Sequence, residues 1–206
     1  MKLLKYFLFI LPLVALISCD KEKDEEEEMS LPAAAYYFQG EIEGETVSFE
    51  QARDGFYSGT TSSGGFAAEG DVQAKDGTLI AKIDLADLEA EGPYFAIDVR
   101  KTFPGQSSVD IEDRMTMYEK NVYDYSSEEG EEDGVVISYT EDGDKLWYSS
   151  WGSQTNSMFE ITEVVENASS DSFLIFAATF NCTLYDNEGN SMELKNGTYR
   201  GLAVNY

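Results

Sequence analysis

Apolar and polar residues alternate with a period of two along most of this chain, the pattern of strands with one buried face. The clearest run is 172–185. There Leu174, Phe176, Ala178, Phe180, Cys182 and Leu184 all fall on one side. Residues 78–85 repeat the pattern with Leu79, Ala81, Ile83 and Leu85. Similar runs predict strands over 36–42, 46–49, 66–73, 94–101, 135–140, 145–151, 157–165, 191–194 and 198–206. Between them stand turn-forming clusters, at Gly44-Glu45, at 186–190 and at Asn196-Gly197. Residues 84–91 and 108–119 each read as one or two turns of helix, and 126–134 as an acidic loop. Many short strands between turn signals predict an all-β fold. The expected architecture is an antiparallel β-sandwich, immunoglobulin-like or jelly-roll-like, with at most one or two short helices.

The stretch 135–151 reads as a hairpin turning in Glu141-Asp142-Gly143-Asp144. Centred there, it pairs Thr140 with Lys145, Tyr139 with Leu146, Ser138 with Trp147 and Ile137 with Tyr148. Val135, Ile137, Tyr139, Leu146 and Tyr148 then share an apolar face. Val136, Ser138, Lys145, Trp147, Ser149 and Trp151 share the other. A slip of one residue exchanges the two faces. In this register Trp147 and Trp151 stand four residues apart on one strand, roughly 13 Å. With Lys145 beside them they form a candidate platform for stacking on sugar rings.

The first residues follow a different pattern. Lys2 and Lys5 precede an apolar run over 6–17, which is shorter than the roughly 20 residues of a membrane span. It has the charge order and length of a signal peptide. The run closes in Leu16-Ile17-Ser18-Cys19, and Asp20-Lys21-Glu22-Lys23-Asp24 then leads into Glu25-Glu26-Glu27-Glu28. This resembles the processing site of a bacterial lipoprotein. The resemblance implies cleavage before Cys19 and lipid on its thiol. A single acyl chain binds membranes only marginally, and the three chains of bacterial lipoproteins imply a firm membrane anchor. Acidic runs after the lipidated Cys resemble the surface-export signals of Bacteroidota lipoproteins, which implies an outer-membrane, surface-exposed location. The expected organisation is a signal peptide over 1–18, a lipidated and extended acidic tether over 19–35, and one β-sandwich domain over 36–206.

Composition narrows the chemistry. Forty acidic residues against fourteen basic ones give a net charge of −26. That argues against nucleic acid as a partner, since its binders carry basic patches. There is no histidine, which removes Ser-His-Asp and Cys-His triads and His-ligand zinc sites. With Cys19 lipidated, Cys182 has no disulfide partner and reads as a buried small hydrophobe. Two chemistries stay open. One is calcium, which takes about six to eight oxygen ligands. Asp142, Asp144, Asp186 and Glu188 are its candidate ligands. The other is glycoside hydrolysis by two carboxylates about 5–10 Å apart, for which no motif selects a pair.

The chain closes with Phe180-Asn181-Cys182-Thr183-Leu184-Tyr185-Asp186-Asn187-Glu188-Gly189, then Leu194-Lys195-Asn196-Gly197-Thr198-Tyr199. Together with Gly40-Glu41-Ile42-Glu43-Gly44 and the segment 157–162, this resembles small uncharacterised lipoproteins of Bacteroidota. That family resemblance implies an extracytoplasmic β-sandwich and brings no catalytic residues. The expected function is non-enzymatic: a lipid-anchored surface protein for a glycan or protein partner. The alternatives are an accessory lipoprotein of an envelope assembly and, third, a carboxylate-dependent glycoside hydrolase.

Overall fold

The computed structural model describes residues 35–51, 56–67, 76–87, 92–104, 110–127, 133–170 and 173–204. All belong to one compact unit, Leu31–Tyr206. The signal segment, Cys19 and the acidic run lie outside the described residues. So do most of the 126–134 loop and the second half of the predicted strand 66–73.

Eleven strands follow in order: β1 (Tyr37–Ile42), β2 (Glu45–Glu50), β3 (Phe56–Ala67), β4 (Asp76–Asp87), β5 (Tyr94–Pro104), β6 (Val122–Tyr123), β7 (Gly134–Thr140), β8 (Trp147–Tyr148), β9 (Met158–Glu166), β10 (Phe173–Tyr185) and β11 (Ser191–Val204). One short helix, α1 (Ile111–Met115), runs into a 3-10 turn at Thr116–Tyr118. A second 3-10 turn, Ser149–Trp151, follows β8. The fold is all-β, antiparallel and sandwich-like, as the alternation predicts.

The strand order is β2-β1-β11-β10-β8-β7-β5-β4-β3, with β9 pairing to β10 and β6 pairing to β9. This one sheet folds over so that its two halves face each other. Phe38 of β1 stacks on Phe95 of β5 with ring centroids 3.8 Å apart. Phe95 also stacks on Phe180 of β10, and Phe49 of β2 on Tyr139 of β7. Every second residue of β10 from Leu174 to Leu184 is buried. Each fully buried Phe contributes about 1.5–3 kcal/mol of transfer free energy, so this aromatic stack is the main cohesion between the halves.

α1 starts where Asp110 accepts a hydrogen bond from the Asp113 N–H at 3.0 Å, a side-chain cap. It ends where the Lys101 ammonium donates to the Thr116 carbonyl and hydroxyl. The helix reading of 108–119 therefore holds over its centre. The one for 84–91 fails over 84–87, which finish β4, and its second half, 88–91, lies outside the described residues.

Two turn assignments shift. The β1–β2 loop is Glu43-Gly44 rather than Gly44-Glu45, since Ile42 pairs with Glu45. Both loop residues have positive φ, 53° and 86°, the type I′ geometry that matches strand twist. Asn196-Gly197 is no turn at all, and β11 runs through it unbroken. Phe180 pairs with Gly197 and Cys182 with Leu194. On the other side Gln39 pairs with Thr198 and Glu41 with Lys195. β11 thus holds one extra residue against both neighbours, a bulge, with Asn196 at φ 50°. The left-handed preference that puts Asn-Gly in turns also serves a bulge.

Candidate functional site

The expected hairpin register is displaced by one residue. Ser138 pairs with Tyr148 and Tyr139 with Trp147. Trp147 therefore shares the inner face with Tyr139 and packs against the core, while Leu146 is exposed. Leu146 and Trp147 are both apolar, so alternation alone does not separate the two registers, and burying the larger side chain wins. The strand also stops at Tyr148, and Trp151 sits in the 3-10 turn. The two indoles do not share a strand face. Trp151 instead packs on Tyr148, ring centroids 4.4 Å apart.

Of the residues expected to hold a ligand or calcium, Lys145, Trp147, Asp186 and Glu188 come together, while Trp151, Asp142 and Asp144 are not shown to join them. Lys145 lies 2.5 Å from the Asp186 carboxylate and its ammonium stands 4.5 Å from the Trp147 ring centroid. The buried Asp186 carboxylate also accepts the backbone N–H groups of Glu188 and Asn190 and the Asn190 side-chain amide. Glu188 is reached by the same Asn190 amide at 3.4 Å. Asp142 accepts the Asp144 N–H within the preceding turn. Among the described residues no three acidic groups converge on a point that holds a metal ion. The cluster is a closed β10–β11 turn in which both Asp186 oxygens are filled from within.

Burial works to raise the Asp186 pKa. Hydrogen bonds from the Asn190 side chain, Lys145 and the two loop amides outweigh it and hold the carboxyl well below its ordinary value of 3.8. The unfolded chain therefore binds this proton more tightly than the folded one. The stabilisation is complete above about pH 4 and is lost as pH falls towards the folded pKa. Asp186→Asn is expected to lower the urea midpoint by a constant amount above about pH 4, and the gap to wild type should narrow below it. Relief of self-repulsion on acidification is common to both proteins and cancels. A gap independent of pH would contradict the assignment.

Beside this cluster lies the seam between the sheet halves, where β7 faces β10 and β9. Short links close it. β8 pairs with β7 on one side and, through Tyr148, with Tyr185 of β10 on the other. The Ser149 hydroxyl, fully buried, accepts the Ile137 N–H at 2.8 Å. At the far end Tyr125 bridges to Val135, and its hydroxyl reaches the Asn181 carbonyl at 3.0 Å.

Gln154 completes the seam. Its amide nitrogen donates to the carbonyls of Ser149 (2.5 Å) and Thr183 (2.7 Å). Its amide oxygen accepts from the Thr183 N–H (3.1 Å) and the Ser157 hydroxyl (2.8 Å). Two donors and two lone pairs are all that a glutamine amide offers. Towards Thr183 the side chain acts as a strand neighbour, filling the edge of β10 between β9 and β8. It locks the loop 152–157 in place. The Tyr185 hydroxyl adds a bond to the Ser153 carbonyl at 2.7 Å, and its ring lies where a Gly152 Cβ would be, 2.5 Å away.

The locked loop walls a surface groove of about 380 Å³. Thr155, Asn156 and Ser157 stand on one side, and Asn181 and Thr183 of β10 line the floor. Glu193, Lys195 and the bulge residue Asn196 of β11 form the far side. Asn156 and Asn196 both have left-handed backbones, at φ 66° and 50°. The lining is mostly neutral amides and hydroxyls. Cys182 touches the groove from beneath but is buried, and burial pushes its thiol up to about 12. It is no nucleophile at neutral pH. Sequence reasoning singled out none of the groove residues, since neutral polar side chains at strand positions carry no motif.

No family model, no curated protein and no solved structure matches this chain.

Proposed function

We propose that this chain is a lipid-anchored, non-enzymatic protein of the cell surface that binds a glycan in the groove between the loop 152–157 and the β10–β11 face. The observation that carries the reading is the groove's lining. Amides and hydroxyls on rigid backbone match the donors and acceptors of a hydroxyl-rich ligand, and pre-organised groups lose little entropy on binding. The amides of Asn181 and Asn196 and the hydroxyl of Thr183 stand on strands, and the loop residues are held by Gln154 and Tyr185. The anchor reading is supported by the lipoprotein-like run ending in Cys19 and the acidic residues after it. The resemblance of the C-terminal third to uncharacterised Bacteroidota lipoproteins points the same way.

The test is binding of the protein to a panel of soluble polysaccharides and oligosaccharides, beside an Asn156→Gly/Thr183→Val variant. Glycine accepts the backbone of residue 156 without strain, and Val keeps the β-branched shape at 183, so the fold should persist. Loss of the two polar groups is expected to weaken binding about tenfold. Equal binding by both proteins would move the site elsewhere. Absence of glycan binding by the wild type would turn the search to protein partners of an envelope assembly.

A further inference from the structure

Resting on that glycan reading, we propose that the groove is selective for neutral glycans, with Glu193 and Glu41 as the residues that exclude acidic ones. Lys195 is the one cation among the described residues of the groove lining. It lies 2.6 Å from the Glu193 carboxylate on its own strand. Across the sheet its strand partner is Glu41, which also accepts the Asn196 side-chain amide at 3.1 Å. The cation is therefore bracketed by two carboxylates, and this part of the groove carries a net negative charge. Hydrogen bonding to Glu193, then the charges of Glu193 and Glu41, hold the Lys195 ammonium in its protonated form. One of its donors is directed to the Glu193 carboxylate before any ligand arrives.

The chemistry follows from this arrangement. A uronate or sulfate entering the groove meets the Glu193 charge on its wall, the Glu41 charge on the neighbouring strand and a lysine already paired. The net charge of −26 adds a long-range repulsion. A neutral sugar loses nothing to that field, and its hydroxyls can donate to the same carboxylates and accept from the amides. Glu41 and Glu193 therefore act as a filter on ligand charge.

Removing the filter tests the idea. Glu193 is exposed and Glu41 half-buried; Glu193→Gln and Glu41→Gln/Glu193→Gln keep side-chain shape, and circular dichroism checks the fold. Neutral oligosaccharides and matched uronate-bearing or sulfated ones are titrated against wild type and both variants near physiological salt. The expected result is wild-type binding of neutral ligands alone. Affinity for the acidic series should rise about fivefold for each carboxylate removed, the size of one Coulomb contact near water. Adding Lys195→Gln to the double variant should abolish that gain. Wild-type binding of acidic glycans as tight as of neutral ones would overturn the selectivity and leave the glycan reading intact. Neutral binding with no acidic gain in the variants would overturn the role of the two glutamates. Binding of neither series by any variant would overturn the glycan reading itself.

Discussion

Gly197→Ala is expected to destabilise the domain by about 3 kcal/mol, the upper end of the cost of overpacking a core. A Cβ at this position lies 2.4 Å from one Phe180 ring carbon, 2.5 Å from another and 2.9 Å from a Leu194 methyl. The Phe180 ring has nowhere to retreat, because it stacks with Phe38, Phe95 and Phe159. The bulge in β11 brings the backbone down onto that ring, and only glycine permits the approach. Chemical denaturation gives the measurement. A second variant separates sterics from other causes. Gly197→Ala combined with Phe180→Leu should be less unstable than the sum of the two single changes, by about 1 kcal/mol. Strict additivity would show that the Phe180 contact is not the cause.

Gln154→Ala is expected to cost about 2–4 kcal/mol, far more than an ordinary loop substitution. It strips partners from the Thr183 N–H and carbonyl and from the Ser149 carbonyl, all at a part-buried seam. Gln154→Glu should be no better than alanine. A carboxylate only accepts hydrogen bonds, so it would face two carbonyl oxygens. Hydrogen exchange gives the diagnostic readout, and the Thr183 amide should lose protection in both variants. Because Gln154 also positions Ser157, the glycan affinity should fall in step. Unchanged protection at Thr183 would remove Gln154 from the seam.

The strands that alternation reveals are those with one dry face and one wet face. β10 and β5 are legible for that reason, whereas β7 is buried at all but one position and is legible from its β-branched run; Phe176, Phe95 and Ile137 are core residues the pattern selects. Elsewhere the signal is ambiguous. β8 is two residues long, and the adjacent apolar pair Leu146 and Trp147 supports either register. β11 looks like two strands because Asn196-Gly197 reads as a turn when isolated from its neighbours. Only pairing with β1 and β10 on both sides makes it a bulge. β3 begins in a Gly-, Ser- and Thr-rich stretch with little apolar alternation. The site is harder still. Gln154 is a single polar residue whose four partners are contributed by three separate positions, and nothing local marks it. The Lys145–Asp186 contact joins two turns predicted independently. Each turn was legible, but the pairing of their charges depended on the fold.

The placement of β1 has a mechanical consequence. It is an interior strand, hydrogen-bonded to β2 on one edge and β11 on the other. The lipid anchor proposed ahead of Tyr37 would pull on the start of β1. A ligand in the proposed groove, beside Asn196, would pull at the far end of the same ladder, near Glu41. The load then runs along the strand axis, so the ladder bonds share it in shear instead of opening one by one as in a zipper. With the proposed tether and ligand in place, drag on the protein would load β1 without stripping that first strand from the sheet.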